Sequence, residues 1–292
     1  MPLMDALLTG VTLGGMYALV ALGLNLQYGV ARIMNLSYGE VPIGAAIVAY
    51  LLYGQREVSP LWTMALAVPA ALALGWAVYR FALAPLVRRA GTSRAALEVD
   101  SLLGTFGLLF VVQGVMLVAV GGSYLSYSYL SVPVQLIGTT IAANRLLALG
   151  VAVALGVATW LLLTRTRVGT AIRALSIDPS AAQLVAIPVE RLALAAFAFG
   201  TALAAIAGVL ISMFLTFSAT MGVIFTMKAL IVVIMGGIGN MAGAVVAALL
   251  LGLVEALVGT LVDPALTLAA NYALFLAVLL FRPAGLFGRA AR

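Results

Sequence analysis

The chain is divided by one long polar segment, residues 165–191, which reads RTRVGTAIRALSIDPSAAQLVAIPVER between uncharged apolar runs. Its apolar spacing predicts two short amphipathic helices, separated by a proline break after Ile177 and ended before Pro188. In the second helix, we expect one face to pack against a partner surface. This face holds Ala181, Ala182, Leu184 and Val185. A segment with such a stripe needs a partner surface, and its arginines place that surface on the cytoplasmic side of a membrane.

Composition indicates the same setting for the whole chain. Of the 292 residues 65% are hydrophobic and only 8% are charged, too few to cover the surface of a soluble domain. The net charge of +6 therefore indicates membrane orientation rather than nucleic-acid binding. Cysteine and histidine do not occur in the sequence, which excludes disulfides, thiol chemistry, the usual zinc sites and histidine proton relays. We expect the N-terminus to be a retained first span rather than a cleaved signal peptide.

Apolar runs predict an all-α polytopic membrane protein, with residues 1–292 forming one transmembrane domain of about eight or nine crossings. The runs lie at residues 6–31, 41–53, 58–79, 101–120, 145–164, 192–216, 226–237, 245–258 and 265–281, of which 41–53 is long enough for only half a span. Residues 121–138 are rich in Gly, Ser, Tyr and Pro, which predicts an outer loop with a short hairpin. Residues 168–190 form the predicted cytoplasmic loop.

Basic residues set the predicted orientation. With residues 168–190 in the cytoplasm, alternation puts six further arginines on the same side: Arg88, Arg89, Arg94, Arg282, Arg289 and Arg292. Only Arg145 and Arg56, which has Glu57 beside it, remain outside, so the distribution is strongly positive-inside. The N-terminus is then outside and the C-terminus in the cytoplasm. This requires an odd number of crossings, which is satisfied if residues 226–237 cross.

Two apolar helices are interrupted, the first by MNLSYGE at residues 34–40 and the second by GGIGNMAGA at residues 236–244. Each break joins Gly and Asn to a helix that begins with small residues, as an inverted repeat would. Irregular backbone at membrane depth survives only beside protein or a water-filled cavity, so paired breaks indicate a translocation path. The predicted path residues are Asn35, Ser37, Tyr38, Gly39, Glu40, Gly236, Gly237, Gly239 and Asn240. Ordinary turns at the membrane surface are the alternative, which stays open for the second break.

Single polar residues within the spans have competing interpretations. Asn25 and Gln27 either line a path or make hydrogen bonds between helices. Lys228 is expected to snorkel toward an interface. Glu255 is a functional candidate because it is an intramembrane carboxylate, but a structural pair with Lys228 or an arginine is the interpretation that we favour.

The residues available exclude the known classes of intramembrane protease. These need a Ser–His pair, a metal site or two aspartates within spans, and here histidine is missing and the aspartates lie at span ends or in loops. An ion-driven secondary transporter is the alternative to consider, with Glu40 and Glu255 as its ionisable groups. The amphipathic loop instead favours a permease driven by a separate soluble motor. No GxxxxGK[ST] motif is present, so any ATP chemistry belongs to another chain.

Four blocks resemble the branched-chain amino acid ABC transporter permeases of the LivH type. They are GLNLQYGVARIMNLSYGEVPIGA at 23–45, GTAIRALSIDPSAAQLVAI at 169–187, AFAFGTALAAIAGVL at 196–210 and MKALIVVIMGGIGNMAGAVVAALLLGLVEAL at 227–257. The resemblance covers nearly the whole chain in the right order.

The resemblance implies a multi-pass subunit of the bacterial inner membrane, surrounded by lipid and without a nucleic-acid partner. Its implied partners are a second, LivM-type permease, two cytoplasmic ATPase subunits and a periplasmic substrate-binding protein. It implies no cofactor in this chain, with ATP and Mg²⁺ bound by the ATPase. The positions that match the family's ATPase-coupling loop are Gly169, Arg173, Ala174, Asp178, Ala182 and Ile187. The family usually has Gly where this chain has Ala186, and a Gly there would end the helix in a left-handed cap.

The resemblance implies ATP-driven alternating access that moves branched-chain or related amino acids inward. Similar permeases carry urea, short amides, other amino acids and small aromatic acids, so the sequence leaves the substrate open. It also leaves open whether the two permeases of the transporter are identical, and what Glu255 does.

Overall fold

The protein is described by a computed structural model that covers residues 2–90, 94–136, 139–177 and 179–288. It is helical because a chain in lipid must satisfy its backbone hydrogen bonds within each segment. The helices are α1 (Pro2–Ala31), α2 (Glu40–Arg56), α3 (Pro60–Ala77), α4 (Ala84–Ala90), α5 (Arg94–Val120), α6 (Ala143–Arg165), α7 (Arg167–Ile177), α8 (Pro179–Leu184), α9 (Val189–Ser212), α10 (Gly222–Gly236), α11 (Met241–Leu261) and α12 (Thr267–Phe281). A π-helical turn, Val78–Leu83, joins α3 to α4, and 3-10 turns precede α2 (Leu36–Gly39) and α12 (Pro264–Leu266).

Within the described ranges, eight helical stretches are long and apolar enough to cross a membrane, which confirms the polytopic class. The second of them, Leu36–Arg56, is longer than the half span predicted from residues 41–53, because the polar residues before Val41 also become helical. Helix α10 has 15 residues and begins before the predicted residue 226. It covers only about 22 Å of a hydrocarbon core of roughly 30 Å.

The core of the bundle lies around α1 and α9. Of their most apolar stretches 78% and 83% are buried inside the protein, against 17% for α5 and 6% for the span that includes α12. Close approach of backbones explains the small residues in the two central helices: a Cβ at Gly14 would overlap α11 at Leu249, and one at Gly208 would overlap α2 at Pro42. The small residues of these two helices therefore serve helix packing.

At the end where α1 begins, the loop between α5 and α6 forms the predicted hairpin. Strand β1 (Pro133–Leu136) pairs antiparallel with β2 (Thr139–Ala142), and residues 137 and 138 lie outside the described residues. The loop is tied to the bundle by a backbone bridge from Leu125 to Phe217 and by a 2.8 Å hydrogen bond between the hydroxyls of Tyr127 and Ser212. Burial raises the pKa of the Tyr127 phenol, so this hydroxyl stays protonated.

Residues 213–221, between α9 and α10, form an irregular segment. It begins before residue 216, the predicted end of the run 192–216, and it ends before residue 226, the predicted start of the next one. Met213, Phe217 and Ala219 are buried there, so protein rather than lipid surrounds this backbone.

At the opposite end, α7 and α8 confirm the predicted pair of short helices. Ile172, Leu175 and Ala182 are buried, whereas Leu184 and Val185 are 88% and 69% exposed, so this chain covers only part of the face predicted for the second helix. Helix α8 ends at Leu184, and the chain then turns at Ala186, which has a φ of 58°. The turn is closed by a 3.2 Å hydrogen bond from the Ile187 amide to the Ala182 carbonyl. The left-handed cap typical of Gly is therefore formed here by Ala.

Candidate functional site

The first break carries the chain from the end of α1 back into the bundle. Arg32 turns the chain with a φ of 55°, and Asn35 begins the 3-10 turn that leads into α2. The side-chain oxygen of Asn35 accepts hydrogen bonds from the backbone amide and the hydroxyl of Ser37, at 3.1 and 2.7 Å. The Tyr38 hydroxyl donates to the Val20 carbonyl at 2.8 Å, which is about 16 Å back along α1 from its last residue. The break is thus at mid-depth of a helix that spans the membrane.

Two threonines from distant helices satisfy the exposed backbone of this break. The hydroxyl of Thr226 in α10 accepts from the Gly39 amide at 2.8 Å and donates to the Leu36 carbonyl at 3.0 Å. The hydroxyl of Thr105 in α5 accepts from the Leu36 amide at 3.1 Å. A threonine hydroxyl can donate one hydrogen bond and accept others, so it can satisfy both the free carbonyl and the free amide groups of an interrupted helix. No sequence motif identified either residue.

A buried amide network holds the break against α1 and α9. The side-chain amide of Asn35 donates to the side-chain oxygen of Gln27 at 3.3 Å. The side-chain amide of Gln27 in turn donates to the Phe197 backbone carbonyl and to the Thr201 hydroxyl, both at 3.0 Å. Of the two roles open for Gln27, hydrogen bonding between helices is the one that the structure shows. Tyr38 also belongs to this network, since its hydroxyl lies 3.2 Å from the Gly200 carbonyl.

A cavity of about 370 Å³ adjoins the break and is enclosed by α2, α3, α5 and α9. Asn35, Ser37 and Glu40 lie at its polar end, whereas almost all of its remaining wall is apolar. Val111 and Val115 of α5 line it and are exposed, so the cavity opens to the surface of the chain. Its size falls in the range of small-molecule sites, roughly 300–1,000 Å³.

Glu40 is the first residue of α2, is 1% exposed, and has neither carboxylate oxygen hydrogen-bonded to a described residue. Its carboxyl group lies against Gly222, the first residue of α10, where any Cβ would overlap it. The N-termini of two helices therefore meet beside one buried acid. Gly222 was not among the predicted site residues.

The second break lies elsewhere. After α10 ends at Gly236, the chain passes through Gly237 and Gly239, with φ of 98° and 79°, to Asn240, whose side chain accepts from the Gly243 amide at 3.0 Å. The Gly239 amide donates to Asn25 at 2.8 Å, near the end of α1. Ile238 is half exposed.

The structure does not bring the two breaks together. Thr226, which contacts Gly39, and Gly236, which precedes the second break, are both on α10 and are about 15 Å apart along its axis. The second break instead packs against the C-terminal segment, where the Asn240 amide donates to the Phe287 carbonyl at 3.1 Å. The far end of the first break, at Gly39, thus lies deep inside the bundle. Its beginning lies along α1 near the level of the second break, because Asn35 is bonded to Gln27 and Gly239 to Asn25.

Lys228 and Glu255 form an ion pair between α10 and α11, with the Lys228 ammonium 2.7 and 2.8 Å from the two carboxylate oxygens. The Tyr17 hydroxyl, 3.0 Å away, and the Asn271 amide, 2.9 Å away, also donate to this carboxylate. Lys228 does not snorkel as predicted, because Glu255 and the Tyr17 hydroxyl satisfy its ammonium inside the bundle. The pairing interpretation of Glu255 is confirmed, and the pair ties four helices together.

The predicted coupling residues lie at the end that carries α7 and α8. Gly169 packs so closely on the backbone of Leu162 and Leu163 that a Cβ would overlap it, while Arg173 is exposed. Ala174 and Ile187 are half-buried and Ala182 is buried, and Asp178 lies outside the described residues. The Arg32 guanidinium donates to the Ser176 carbonyl in the last turn of α7, which joins this end directly to the first break.

In the part of the chain that the structure describes, no three His, Cys, Asp or Glu side chains are grouped as a metal site requires. The site therefore consists of a polar break, an apolar cavity and one buried acid without a described hydrogen-bond partner, with the short helices α7 and α8 at one end. These features define a polytopic membrane protein of the permease class.

The chain belongs to the family described as "Branched-chain amino acid transport system / permease component", which matches residues 6–281. It is 28% identical to the high-affinity branched-chain amino acid transport system permease protein LivH of Salmonella typhimurium, covering 98% of this chain and 96% of that protein. It is equally similar, at 28% and with the same coverage, to the corresponding permease protein BraD of Pseudomonas aeruginosa. In fold it resembles the solved structure of PsaBC from Streptococcus pneumoniae in complex with Fab, with a TM-score of 0.51 and 12% identity over 97% of this chain and 93% of that one.

Proposed function

We propose that this chain is a permease subunit of an ATP-driven importer in the bacterial inner membrane, which moves branched-chain or related amino acids inward by alternating access. Its family and the names of its relatives support this class and this substrate. The observation that carries the mechanism is the hydrogen bond from Arg32, three residues before Asn35, to the last turn of the amphipathic helix α7.

The transporter then contains four kinds of chain. A second, LivM-type permease stands beside this one, two ATPase subunits lie beneath, and a periplasmic binding protein delivers the solute. ATP and Mg²⁺ bind to the ATPases, since this chain has no phosphate-binding loop of the GxxxxGK[ST] type, and the chain itself is not an enzyme. A second permease is also required physically, because the open side of the cavity must be closed from lipid before a polar solute can pass.

The ATPase docks on α7 and α8. Leu184 and Val185 are large aliphatic side chains left exposed at this end, and Arg173 of α7 is an exposed charge. Gly169 allows α7 to pack tightly against the end of α6, so a displacement of α7 also displaces the residues bonded to it. Ala174, Asp178, Ala182 and Ile187 complete the coupling surface.

Movement of α7 reaches the path through Arg32. The guanidinium holds the C-terminal end of α7, and three residues later Asn35 begins the break. Closure of the ATPases on ATP therefore shifts the first break between two arrangements, and the energy comes from the different affinities of ATP for the two states.

The proposed path runs from the cavity past Asn35, Ser37 and Glu40 to the second break. Gly236, Gly237, Gly239 and Asn240 then form its cytoplasmic mouth, which suits a turn that is partly exposed at the end of the bundle. Tyr38 and Gly39 support the path from behind, since their polar atoms are bonded to α1, α9 and α10.

The distribution of arginines supports a cytoplasmic position for this end. Arg88 pairs with Glu190 at 2.8 Å, which brings the basic last turn of α4 to the same end as α7 and α8. Arg145, which donates to Thr9 near the start of α1, lies at the other end. The N-terminus is then periplasmic and the C-terminus cytoplasmic.

Reconstitution tests the proposal. The chain is co-expressed with the ATPase, permease and binding-protein genes beside it, and the complex is placed in proteoliposomes with ATP inside. We expect ATP-dependent uptake of leucine, isoleucine or valine. Uptake driven instead by a proton or sodium gradient, without ATP, would establish the secondary-transporter alternative.

Two valines test the docking surface. Val185 and Val262 are equally exposed, at 69%, on opposite ends of the protein. We expect Val185→Asp to abolish co-purification of the ATPase and Val262→Asp to leave it intact. Equal retention of the ATPase by both variants would contradict docking on α8.

A further inference from the structure

The cavity beside the first break is amphiphilic, with a polar end and apolar walls. The polar end holds Asn35, Ser37 and Glu40, and Met116, Phe197 and Leu74 are among the apolar side chains around it. A ligand that fits such a space carries a small polar head on an aliphatic or similar apolar group.

Asn35 and Ser37 already satisfy each other and the network behind them. The Ser37 hydroxyl donates to Asn35, and the Asn35 amide donates to Gln27. Thr201, which also lines the cavity, donates to the Phe197 carbonyl at 2.8 Å. These polar groups therefore have no unmet requirement for a ligand.

Glu40 differs from them, since both of its carboxylate oxygens are buried without a hydrogen-bond partner in the described part of the chain. They are covered where the carboxyl group lies against Gly222, so a solute in the cavity contacts them after the side chain turns away from α10. The nearby cations are engaged elsewhere, Lys228 with Glu255 and Arg32 with the Ser176 carbonyl. A buried carboxylate without a partner is unfavourable, and the meeting N-termini of α2 and α10 reduce this penalty without replacing a hydrogen-bond donor. The missing partner must be a donor, and a cationic one matches the charge best.

We propose that Glu40 binds the ammonium group of the solute in transit, while the apolar walls of the cavity receive its aliphatic side chain. This inference rests on the proposed function and names the chemical class that the path accepts. A primary ammonium offers three donors to the two carboxylate oxygens, whereas urea and simple amides carry no positive charge. The site therefore selects small aliphatic compounds that carry a primary ammonium, amino acids among them.

Chemical labelling tests the site without requiring transport. The purified complex in lipid nanodiscs is treated with a hydrophobic carbodiimide, and the modification of Glu40 is measured by mass spectrometry. We expect leucine and 3-methylbutylamine to lower labelling at least five-fold, and 4-methylpentanoate, which lacks the ammonium, to leave it unchanged. Glu255, which is already paired with Lys228, serves as the internal control whose labelling no compound alters. Unchanged labelling of Glu40 in 3-methylbutylamine would overturn the assignment.

Transport by variants gives an independent test. We expect Glu40→Gln to lower ATP-dependent leucine uptake at least ten-fold and Glu40→Asp to restore part of it, with ATPase activity retained in both. Thr159→Val is the matched control, because Thr159 is another buried polar side chain without a described partner, in a separate cavity between α1, α6 and α11. Full uptake by Glu40→Gln would reject the ammonium site and leave the transporter class standing. Protection of Glu40 by 3-methylbutylamine in a wild-type complex that takes up no amino acid would reject the proposed function instead.

Discussion

The two breaks use the same local device in different surroundings. In each, an asparagine caps the next helix, Asn35 through the Ser37 amide and Asn240 through the Gly243 amide. The first is buried, reaches mid-depth at Gly39 and is held by α5 and α10, whereas the second is partly exposed and is held by Asn25 and the C-terminal segment. Similar sequence therefore indicates where a helix is interrupted, but not how deeply.

The difference has a physical cause. Away from the bundle end water is not available, so each backbone group of the first break needs a partner from the protein. Thr105 and Thr226 supply these partners from distant positions in the chain. The second break is partly exposed, so its backbone groups need fewer hydrogen-bond partners from distant residues.

The largest expected contrast is between Gly39→Ala and Gly239→Ala. A Cβ at Gly39 would overlap the backbone of Gly222 and Thr226, which cannot move without displacing α10. We expect a loss of more than about 3 kcal/mol in the free energy of unfolding, or no assembled protein. Gly239 has open space around it and a positive φ, so its substitution costs about 1 kcal/mol. Chemical denaturation in detergent measures both, and equal losses would show that the breaks are equally constrained.

The capping asparagines give the next contrast. Asn35→Ala removes the cap and leaves the Gln27 oxygen and the Ser37 amide unsatisfied in the interior, so we expect a loss of about 3 kcal/mol. Asn240→Ala removes a half-buried cap, so we expect the free energy of unfolding to fall by about 1 kcal/mol. The measurement is again denaturation in detergent. A larger loss for Asn240 would place the more demanding break at the end of the bundle.

Arg32 tests whether the first break alone communicates with α7. We expect Arg32→Ala to lower ATP-dependent uptake about ten-fold while ATPase activity persists, because α7 no longer pulls on the break. Arg56→Ala, at the far end of α2, serves as the control and is expected to transport normally. Parallel loss of uptake and ATPase activity in Arg32→Ala would indicate failed assembly rather than failed coupling.

The smallest effect concerns the turn between α8 and α9, which lacks the glycine found at both breaks. Ala186 has a φ of 58°, a conformation that costs a non-glycine residue roughly 1–2 kcal/mol. Ala186→Gly should therefore raise the free energy of unfolding by about 1 kcal/mol, and Ala174→Gly, within α7, should lower it by a similar amount. A loss of stability on Ala186→Gly would mean that this strain is not relieved by glycine.

Several features were predictable because their causes are local. Apolar runs gave the spans, Pro188 and the apolar stripe gave the short helices, and turn residues gave the hairpin. The Lys228–Glu255 pair was anticipated because opposite charges within apolar helices must find each other. The exposure of Leu184 and Val185 was not, since an amphipathic pattern does not say whether its partner is the same chain.

The sequence by itself determined that this is a polytopic helical protein with two interrupted helices and an amphipathic segment at one end, because hydropathy, Gly and Pro act over a few residues. Only the tertiary structure placed one break at mid-depth and the other at the end, and set Glu40 against Gly222. It also joined Arg32 to α7, a contact between residues far apart in the chain. Such contacts depend on how helices pack, which no local pattern encodes.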